Sequence, residues 1–209
     1  MTTRTTVELE KLGPLLAGDH ENPFEVLGPD EVMRDDRRVL AVRGRIVPST
    51  LAHVTLSAEL EDQSVLTGEH QVPTGKVPIR RVFLEPEAPP AYPEAVRAIL
   101  DADLVVVGPG SLYTSVLPNL LVPDIASALS TTPAPVVYVA NVATQPGETD
   151  GYDLDKHIAA LRRHLPLDLV DLILANDNFT PVLPDAWNVS AVRPMLSKAG
   201  PEIVSADLV

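Results

Sequence analysis

The 209-residue chain carries a formal net charge of −13, and 45% of its residues are hydrophobic, which is sufficient for a sizeable core. This charge argues against nucleic acid and anionic membrane surfaces as partners. The chain has no cysteine, so disulfides and thiolate metal sites are excluded. No apolar run reaches about 18 residues, and the polar N-terminus has no apolar signal-peptide core. We therefore predict neither a transmembrane helix nor secretion, and expect a cytoplasmic protein.

Residues 1–38 show little hydrophobic periodicity, and Gly13 and Pro14 interrupt their best helical stretch. They are predicted to be a poorly structured leader or a segment that depends on a partner. Residues 39–209 are predicted to form a single α/β domain. Within that domain we expect a β-rich section over residues 39–86 and a β-α-β core over residues 91–209.

The β-rich section contains four strand candidates. The first is VLAVRGRIVP, residues 39–48. Residues 54–60 alternate, with apolar side chains at the even-numbered positions on one face and polar ones on the other. A hairpin turn at residues 60–64 leads into the next candidate, VLTGEHQV at residues 65–72. Residues 80–86 form the last candidate. This pattern favours an antiparallel or mixed sheet.

The core section alternates strands with helices. Continuous apolar runs at residues 103–108, 136–142 and 169–176 are typical of parallel strands buried on both faces. A first helix is predicted from Pro93 to Leu100. The segment after the second loop glycine is predicted to form two short helical pieces, separated by Pro118 and Pro123. A last helix is predicted at residues 153–165, with Asp153 as its N-cap. A further strand is expected near the C-terminus. The order predicts a parallel β-α-β-α-β sheet with right-handed crossovers.

Three polar loops follow the apolar strands, at residues 108–115, 141–152 and 175–179. Ligands of such sheets bind at the carboxyl ends of the strands, so these loops are expected to meet at one edge. Their convergence is stronger evidence for a site than any one loop.

The first loop, GPGSLYTS, offers two glycines followed by hydroxyl groups. Gly108 and Gly110 allow positive φ and a close approach of the backbone to a ligand, while Ser111, Thr114 and Ser115 supply hydroxyls. These features suit a diphosphate, and they equally suit a strand-to-helix turn with an N-cap. The loop matches neither the dinucleotide-binding nor the P-loop pattern.

The other two loops offer amides and carboxylates. Amide groups can read the edge of a nucleobase, and carboxylates can accept ribose hydroxyls or hold a metal; the alternative is a polar loop that caps the next helix. The residues concerned are Asn141, Thr144, Gln145, Glu148, Thr149, Asp150, Tyr152, Asn176, Asp177 and Asn178.

No catalytic constellation is evident. The five histidines show no metal-ligand spacing. His157 is predicted to lie either near the site or on the surface, and His164 to complement the dipole at a helix end. Arg80 and Arg81 are read as strand-surface charge rather than anion ligands.

Four segments, in this order, resemble the gluconeogenesis-factor family (YvcK-like), which shares a superfamily with 2-phospho-L-lactate transferase (CofD-like). They are VLAVRGRIVPST, RRVFLEPE, ADLVVVGPGSLYTSVLPNLLVPDIASAL and VYVANVATQPGETDGY. The resemblance covers about residues 39–209, and GPGSLYTS and QPGET are its most specific stretches.

The resemblance implies a Rossmann-like fold that binds a nucleotide sugar, such as UDP-N-acetylglucosamine, or a nucleotide diphosphate. The YvcK-like branch is tied to central carbon metabolism, cell-wall synthesis and cell shape in bacteria. The alternative branch transfers a phospholactyl group from a nucleotide-activated donor to a deazaflavin with Mg²⁺. The GPGSLYTSVLPNLL stretch resembles the regulatory branch more than the transferase branch. The resemblance therefore favours a regulatory protein over an enzyme. No cofactor is expected, except Mg²⁺ in the transferase alternative.

Carried over residue by residue, Gly108, Pro109, Gly110 and Ser111 would line the diphosphate, with Asn141, Thr144, Gln145 and Glu148 beside it. The full set of ligand-binding candidates adds Tyr113, Thr114, Ser115, Thr149, Tyr152 and Asn176.

The chain departs from the family pattern at its start. It has neither the Gly-Gly-Gly-Thr-Gly loop nor the Asp-Asp-Gly-Gly segment of the family. It resembles the second half of the fold, shortened at both ends, which leads us to expect an exposed sheet edge or apolar packing face. A module without ligand function is therefore a third alternative, and self-association into a homo-oligomer is open.

Overall fold

The structure, a computed structural model, describes residues 45–74, 77–165, 169–180, 183–194 and 201–209. The predicted leader and the first part of the predicted strand 39–48 lie outside these ranges. For the described residues 45–48 the prediction of a strand is wrong, because they form none. Val47 packs against the core instead, and the following Ser49 carbonyl accepts a hydrogen bond from Tyr92 N at 2.8 Å.

A small antiparallel sheet forms first, as the alternation predicts. Its strands are β1 (Thr55–Leu60), β2 (Val65–Thr67) and β3 (Ile79–Glu85), in the order β2-β1-β3. The predicted turn closes the hairpin with a hydrogen bond from Leu60 N to Ser64 O at 2.9 Å. The sheet precedes the parallel core in the chain and shares no strand with it.

The strict alternation predicted for β1 holds only in part. Leu56, Ala58 and Leu60 are buried, but Val54 lies outside the strand and is 37% exposed. Ser57 is fully buried although its position predicts a polar, outward side chain. Its hydroxyl lies 3.3 Å from Thr67 Oγ1 on the neighbouring strand, and this contact makes burial of a polar group tolerable.

The second sheet is parallel and has four strands, in the order β4-β5-β6-β7. They are β4 (Val105–Val107), β5 (Val136–Val139), β6 (Leu172–Asn176) and β7 (Glu202–Ala206). All three pairings are parallel. This confirms the predicted α/β fold class, with a parallel core after an antiparallel section.

Within the described ranges, four α-helices accompany these strands. They are α1 (Pro93–Leu100), α2 (Leu117–Leu120), α3 (Pro123–Thr131) and α4 (Leu154–His164), with a π-helical turn at Leu112–Val116 running directly into α2. Short 3₁₀ turns lie at Val72–Thr74 and Asp185–Trp187. Proline occupies the first turn of α1, α2 and α3, where its missing N–H costs nothing.

The prediction that the first apolar run is buried on both faces is wrong. β4 is an edge strand of the described sheet, and Val106 is 52% exposed. A continuous apolar run cannot distinguish an edge strand from a central one, because the distinction depends on neighbours elsewhere in the chain. The expected exposed sheet edge is thus present among the described residues.

The core lies between the two sheets, around the helices. One buried cluster includes Ile79 and Val82 of the small sheet, Leu117 of α2 and Ile173 of the parallel sheet. Helix α4 joins the layers, since Val82 N donates a hydrogen bond to its His164 Nε2 at 2.8 Å.

No single helix within the described ranges is long and apolar enough to cross a membrane. The pair Leu112–Leu120 and Pro123–Thr131, bent by 74°, meets the length and composition requirement only when taken together.

Candidate functional site

The GPGS loop leaves the carboxyl end of β4 in a conformation that requires glycine at its first position. Gly108 has φ of +83°, and a Cβ there would lie 3.0 Å from the Val139 carbonyl oxygen of β5. Gly110 does not have positive φ, contrary to the expectation that both glycines exploit it. A Cβ on Gly110 would instead meet Ser115 Cβ at 3.4 Å. These are ordinary van der Waals distances, so neither φ nor crowding requires glycine at the second position.

Hydrogen bonds join the first loop to the second, as their predicted convergence requires. Asn141 Nδ2 donates to Gly110 O at 2.9 Å, and Gln145 Nε2 donates to Ser111 Oγ at 2.7 Å. The Thr149 hydroxyl accepts from Gln145 N at 2.8 Å, which orders the second loop internally. The two loops thus form one polar unit at the carboxyl edge of the sheet.

A buried carboxylate holds the start of the π-helical turn. Glu148 is 4% exposed; its Oε2 accepts from Tyr113 N at 3.1 Å and its Oε1 accepts from Thr114 Oγ1 at 2.8 Å. A negative charge near such N–H groups is favourable because the first turn leaves donors unpaired. Glu148 and Thr114 are therefore engaged with one another rather than directed to solvent.

An aromatic cluster lies behind these loops. The hydroxyls of Tyr113 and Tyr152 are 2.9 Å apart, and the Tyr152 ring meets the His157 ring edge-on with centroids separated by 5.5 Å. Burial, followed by the hydrogen bond to Tyr152, raises the pKa of the Tyr113 hydroxyl well above its usual range. Tyr113 is therefore a neutral, buried support for the loop.

A groove of about 560 Å³ opens beside β4 and reaches the GPGS loop. Four ligand candidates line it, namely Gly108, Pro109, Gly110 and Ser115. Ser49 and Asn119 line the same groove and hydrogen-bond to each other. Sequence reasoning did not single these two out, although the PST at residues 48–50 belongs to one of the segments that carry the family resemblance.

Asn141 is half-buried and one of its polar atoms has no partner. Its amide nitrogen is used by Gly110 O, while Oδ1 is buried and makes no hydrogen bond within the structure. An unpaired buried acceptor is costly, so it marks a place where a donor from outside the chain would be stabilising.

Two predicted site residues have partners that account for them structurally. Thr144 Oγ1 accepts from Ser190 N at 2.8 Å, which ties the second loop to residues 188–193. Asn176 is buried at the end of β6, where its Oδ1 accepts from Asn178 N at 3.2 Å and Leu208 N at 3.1 Å. Its Nδ2 also donates to Asn178 O, so the side chain is occupied by its own loop and the C-terminal residues.

Two expectations about histidines are wrong. His157 is not a surface residue, and His164 is not a charged residue at the helix end. His157 is completely buried, its Nδ1 donates to Asp153 O at 2.8 Å, and burial lowers its pKa below 6.5. His164 accepts a backbone hydrogen bond at Nε2 and is therefore neutral. The Val82 partner of His164 is distant in the chain, and helix periodicity does not reveal it.

Arg80 and Arg81 behave as predicted for strand-surface charge. Both pair with Glu59 on β1, each with an N–O distance of 2.7 Å. Within the described ranges no group of three or more His, Asp or Glu side chains could hold a metal ion. Each Glu148 oxygen already accepts one hydrogen bond from the π-helical turn.

The fold and site define a Rossmann-like α/β protein with a polar loop cluster at the carboxyl edge of a parallel sheet. The chain belongs to the CofD family, since the model of 2-phospho-L-lactate transferase CofD matches residues 24–195. The similar proteins, however, are named gluconeogenesis factors rather than transferases. A gluconeogenesis factor from Bacillus subtilis is 44% identical over 76% of this chain and 50% of its own length.

Two further comparisons agree. A putative gluconeogenesis factor from Deinococcus radiodurans is 46% identical over 75% of this chain and 34% of its own length. A crystal structure of a UPF0052 family protein from Bacillus halodurans matches with a TM-score of 0.75 and 38% identity, covering 83% of this chain and 58% of that one. The chain thus spans between a third and a half of these two relatives' lengths.

Proposed function

We propose that this chain binds a nucleotide sugar or nucleoside diphosphate, with UDP-N-acetylglucosamine as the first candidate, in the groove at the end of β4. It acts as a regulator of the gluconeogenesis-factor type in carbon metabolism rather than as an enzyme. The proposal extends to roles in cell-wall synthesis and cell shape and to a cytoplasmic location. The name of the curated relatives supports the metabolic part of this proposal.

The unpaired Oδ1 of Asn141 carries the proposal. It is a buried acceptor fixed beside Gly110 by the hydrogen bond from its own Nδ2; Gly110 lines the groove, whereas Asn141 lies behind it. A ligand donor, such as a base or sugar N–H or a hydroxyl, would satisfy it. A simple anion has no such donor, so this acceptor favours a ligand that carries N–H or hydroxyl groups.

The groove supplies the remaining features. Its volume of about 560 Å³ lies within the usual range for small-molecule sites, about 300–1,000 Å³. Gly108 and Gly110 present bare backbone on one wall, and Ser49 and Ser115 present hydroxyls. Bare backbone beside hydroxyls is suited to phosphate oxygens, which an acidic protein can hold locally without a basic patch.

Thermal unfolding with and without UDP-N-acetylglucosamine tests this function. Ligand at about 100 times its dissociation constant adds about 2.7 kcal/mol, or roughly 5–11 °C in a domain of this size. We expect Asn141→Ala to abolish most of that upward shift, because it removes the unpaired acceptor. Ser130→Ala, on the exposed surface of α3, is the matched control and keeps the shift.

Three results would count against the proposal. Absence of any shift in the unaltered chain would favour a module without ligand function. An identical shift in Asn141→Ala would remove the residue that carries the argument. An equal shift with inorganic phosphate alone would reduce the site to an anion site.

A phospholactyl transferase is the second candidate, favoured by the description of the matching family model. It is tested by incubating the chain with a nucleotide-activated phospholactate, a deazaflavin acceptor and Mg²⁺. Formation of phospholactylated deazaflavin above a protein-free control would establish it. Binding of nucleotide sugar without such product supports the regulatory function.

A further inference from the structure

The groove at the end of β4 is lined by few polar side chains. Among the described residues they are Ser49, Ser115 and Asn119, and these lining residues include no charged side chain. The other side chains of the walls are apolar, and Gly108 and Gly110 contribute bare backbone. A polar group of a bound molecule must therefore meet one of these three side chains or the backbone of the GPGS loop. Selectivity among uncharged polar groups depends on the three side chains.

The amide of Asn119 is held at both of its polar atoms. Its Nδ2 donates to Ser115 O at 2.7 Å, and its Oδ1 accepts from the Ser49 hydroxyl. Because a backbone carbonyl can only accept, the atom that faces Ser115 O is the nitrogen, so the two ends of the amide are distinguished. Asn119 is exposed, yet the orientation of its amide is set before a ligand arrives.

Ser49 is fixed in turn by the segment before α1. Its carbonyl accepts from Tyr92 N at 2.8 Å, and the neighbouring Thr50 hydroxyl donates to Pro90 O at 2.6 Å. The bond from Ser49 to Asn119 therefore joins two segments that are 70 residues apart in the chain. A single exposed hydrogen bond adds little to stability, whereas a side chain that is already oriented lowers the entropic cost of binding.

Within the described part of the chain, the amide of Asn119 keeps one hydrogen-bonding position free on each atom. Its Nδ2 has a second N–H, and its Oδ1 has a second lone pair. The Ser49 hydroxyl gives its one hydrogen to Asn119, so towards a ligand it can only accept. The pair thus offers one donor beside acceptors. This arrangement is complementary to an amide in the ligand, which carries one N–H and one carbonyl oxygen side by side.

We propose that Asn119, oriented by Ser49, selects the acetamido group of a nucleotide sugar bound in this groove. This inference rests on the proposed function, which puts phosphate against the bare backbone of Gly108 and Gly110. A Cβ on Gly110 would lie 3.4 Å from Ser115 Cβ, and Asn119 contacts Ser115 O, so one residue separates Asn119 from the phosphate end. The acetamido group sits on the sugar carbon next to the one that bears the diphosphate, within that short reach. The nucleobase lies beyond the ribose and is farther away.

The groove wall also suits the methyl of an acetamido group. Leu120 follows Asn119 directly, and Ile125 and Leu129 of α3 line the same groove. An apolar wall favours a methyl group over a hydroxyl, which would lose its hydrogen bonds to water there. A sugar with a hydroxyl at this carbon presents one oxygen to both free amide positions, and one oxygen cannot meet both with good geometry. Asn119 should therefore discriminate between two sugars that differ only in this group.

Calorimetric titration with UDP-N-acetylglucosamine and UDP-glucose, which differ only at this carbon, tests the inference. Because two hydrogen bonds and one apolar contact distinguish them, we expect the unaltered chain to bind the acetamido sugar at least about tenfold more tightly. Asn119→Ala should bring the two dissociation constants within about twofold of each other and leave that of UDP-glucose within about twofold of its original value. Ser130→Ala, on the exposed surface of α3, is the matched control and keeps the full preference.

Ser49→Ala is the second variant, and it keeps the amide of Asn119 and its bond to Ser115 O. It should lose part of the preference for the acetamido sugar, because the orientation of the amide is then fixed at one atom only. This variant keeps the inference testable if Asn119→Ala fails to fold.

Equal affinity of the unaltered chain for the two sugars would overturn the inference and leave the proposed function standing. An undiminished preference in Asn119→Ala or in Ser49→Ala would overturn it as well. A loss of affinity for both sugars by the same factor in Asn119→Ala would assign this side chain to the shape of the groove instead of to the acetamido group. If the unaltered chain bound neither sugar, the proposed function would be refuted, and the inference with it.

Discussion

Gly147, at the centre of the QPGET stretch, shows how a single residue joins the two parts of the fold. Its φ is +82°, and a Cβ at this position would lie 1.7 Å from the carbonyl oxygen of Pro73. Pro73 belongs to the 3₁₀ turn that precedes β3. The second polar loop is thus packed directly on the antiparallel section, and only glycine allows this approach.

Gly147→Ala is predicted to destabilise the chain by about 2–4 kcal/mol in urea unfolding, because backbone strain and a backbone clash act together. Gly151→Ala is the control. Gly151 also has positive φ, +67°, but a Cβ there would meet nothing within 4 Å. It should lose only about 1–2 kcal/mol. Equal losses in the two variants would show that the Pro73 contact is unimportant.

His164 makes stability depend on pH. Its Nδ1 donates to Ala160 O at 2.7 Å, so Nε2 carries the lone pair that accepts the Val82 N–H. Burial, reinforced by the nearby Arg163 and Arg81 charges, lowers the pKa of His164 below 6.5. A protonated ring would lose the Val82 hydrogen bond, so the folded chain favours the neutral form.

The stability that neutral His164 contributes is therefore predicted to be fully present above about pH 6.5. It falls as the pH drops from there towards the lowered folded-state pKa, because the unfolded chain binds the proton more readily. His164→Gln, which can still accept from Val82 without titrating, should reduce this fall in urea unfolding between pH 7 and pH 5. Part of the fall should remain in this variant, because the pKa of His157 is also lowered. An unchanged slope would contradict the assignment.

At the scale of the element, helix α4 follows its sequence signals closely. Asp153 is the N-cap, and its Oδ1 accepts from Lys156 N at 2.9 Å. Basic residues fill the last turn, where they complement the helix dipole. The helix ends at His164, within a residue of its predicted end.

Asp153→Ala should cost about 1 kcal/mol of stability, the usual loss when an N-cap acceptor is removed. Asp155→Ala is a suitable control, because Asp155 lies in the first turn without capping it and should cost less. Chemical unfolding of both variants gives the comparison. The N-cap role would be refuted if Asp155→Ala proved the more damaging change.

For the whole molecule, the shared core predicts one cooperative transition. Ile79 of the small sheet and Ile173 of the parallel sheet belong to the same buried cluster. Ile79→Ala should therefore lower the stability of the entire chain by about 2–5 kcal/mol, with far- and near-ultraviolet circular dichroism shifting together. Val65→Ala, at a 54% exposed position of β2, should change it by less than about 0.5 kcal/mol. Two separate transitions would show that the sections fold independently.

Local patterns in the chain determined the element types. Alternation predicted the hairpin, continuous apolar runs predicted the parallel strands, and Pro93, Pro123 and Asp153 predicted helix starts, all of which the structure confirms. The meeting of the GPGS and QPGET loops was also predictable, because parallel strands bring their carboxyl ends to one edge. The ligand-binding role of that edge stays a prediction.

Tertiary structure alone decided which side chains are free at that edge and which faces are buried. Glu148, Thr144 and Asn176 are occupied by Tyr113, Ser190 and Leu208, partners 32 to 46 residues away along the chain. Val106 is exposed because no described strand lies beyond β4. A residue's own neighbours in sequence fix its backbone preference, whereas its burial and hydrogen-bond partners depend on contacts between distant segments, which no local pattern records.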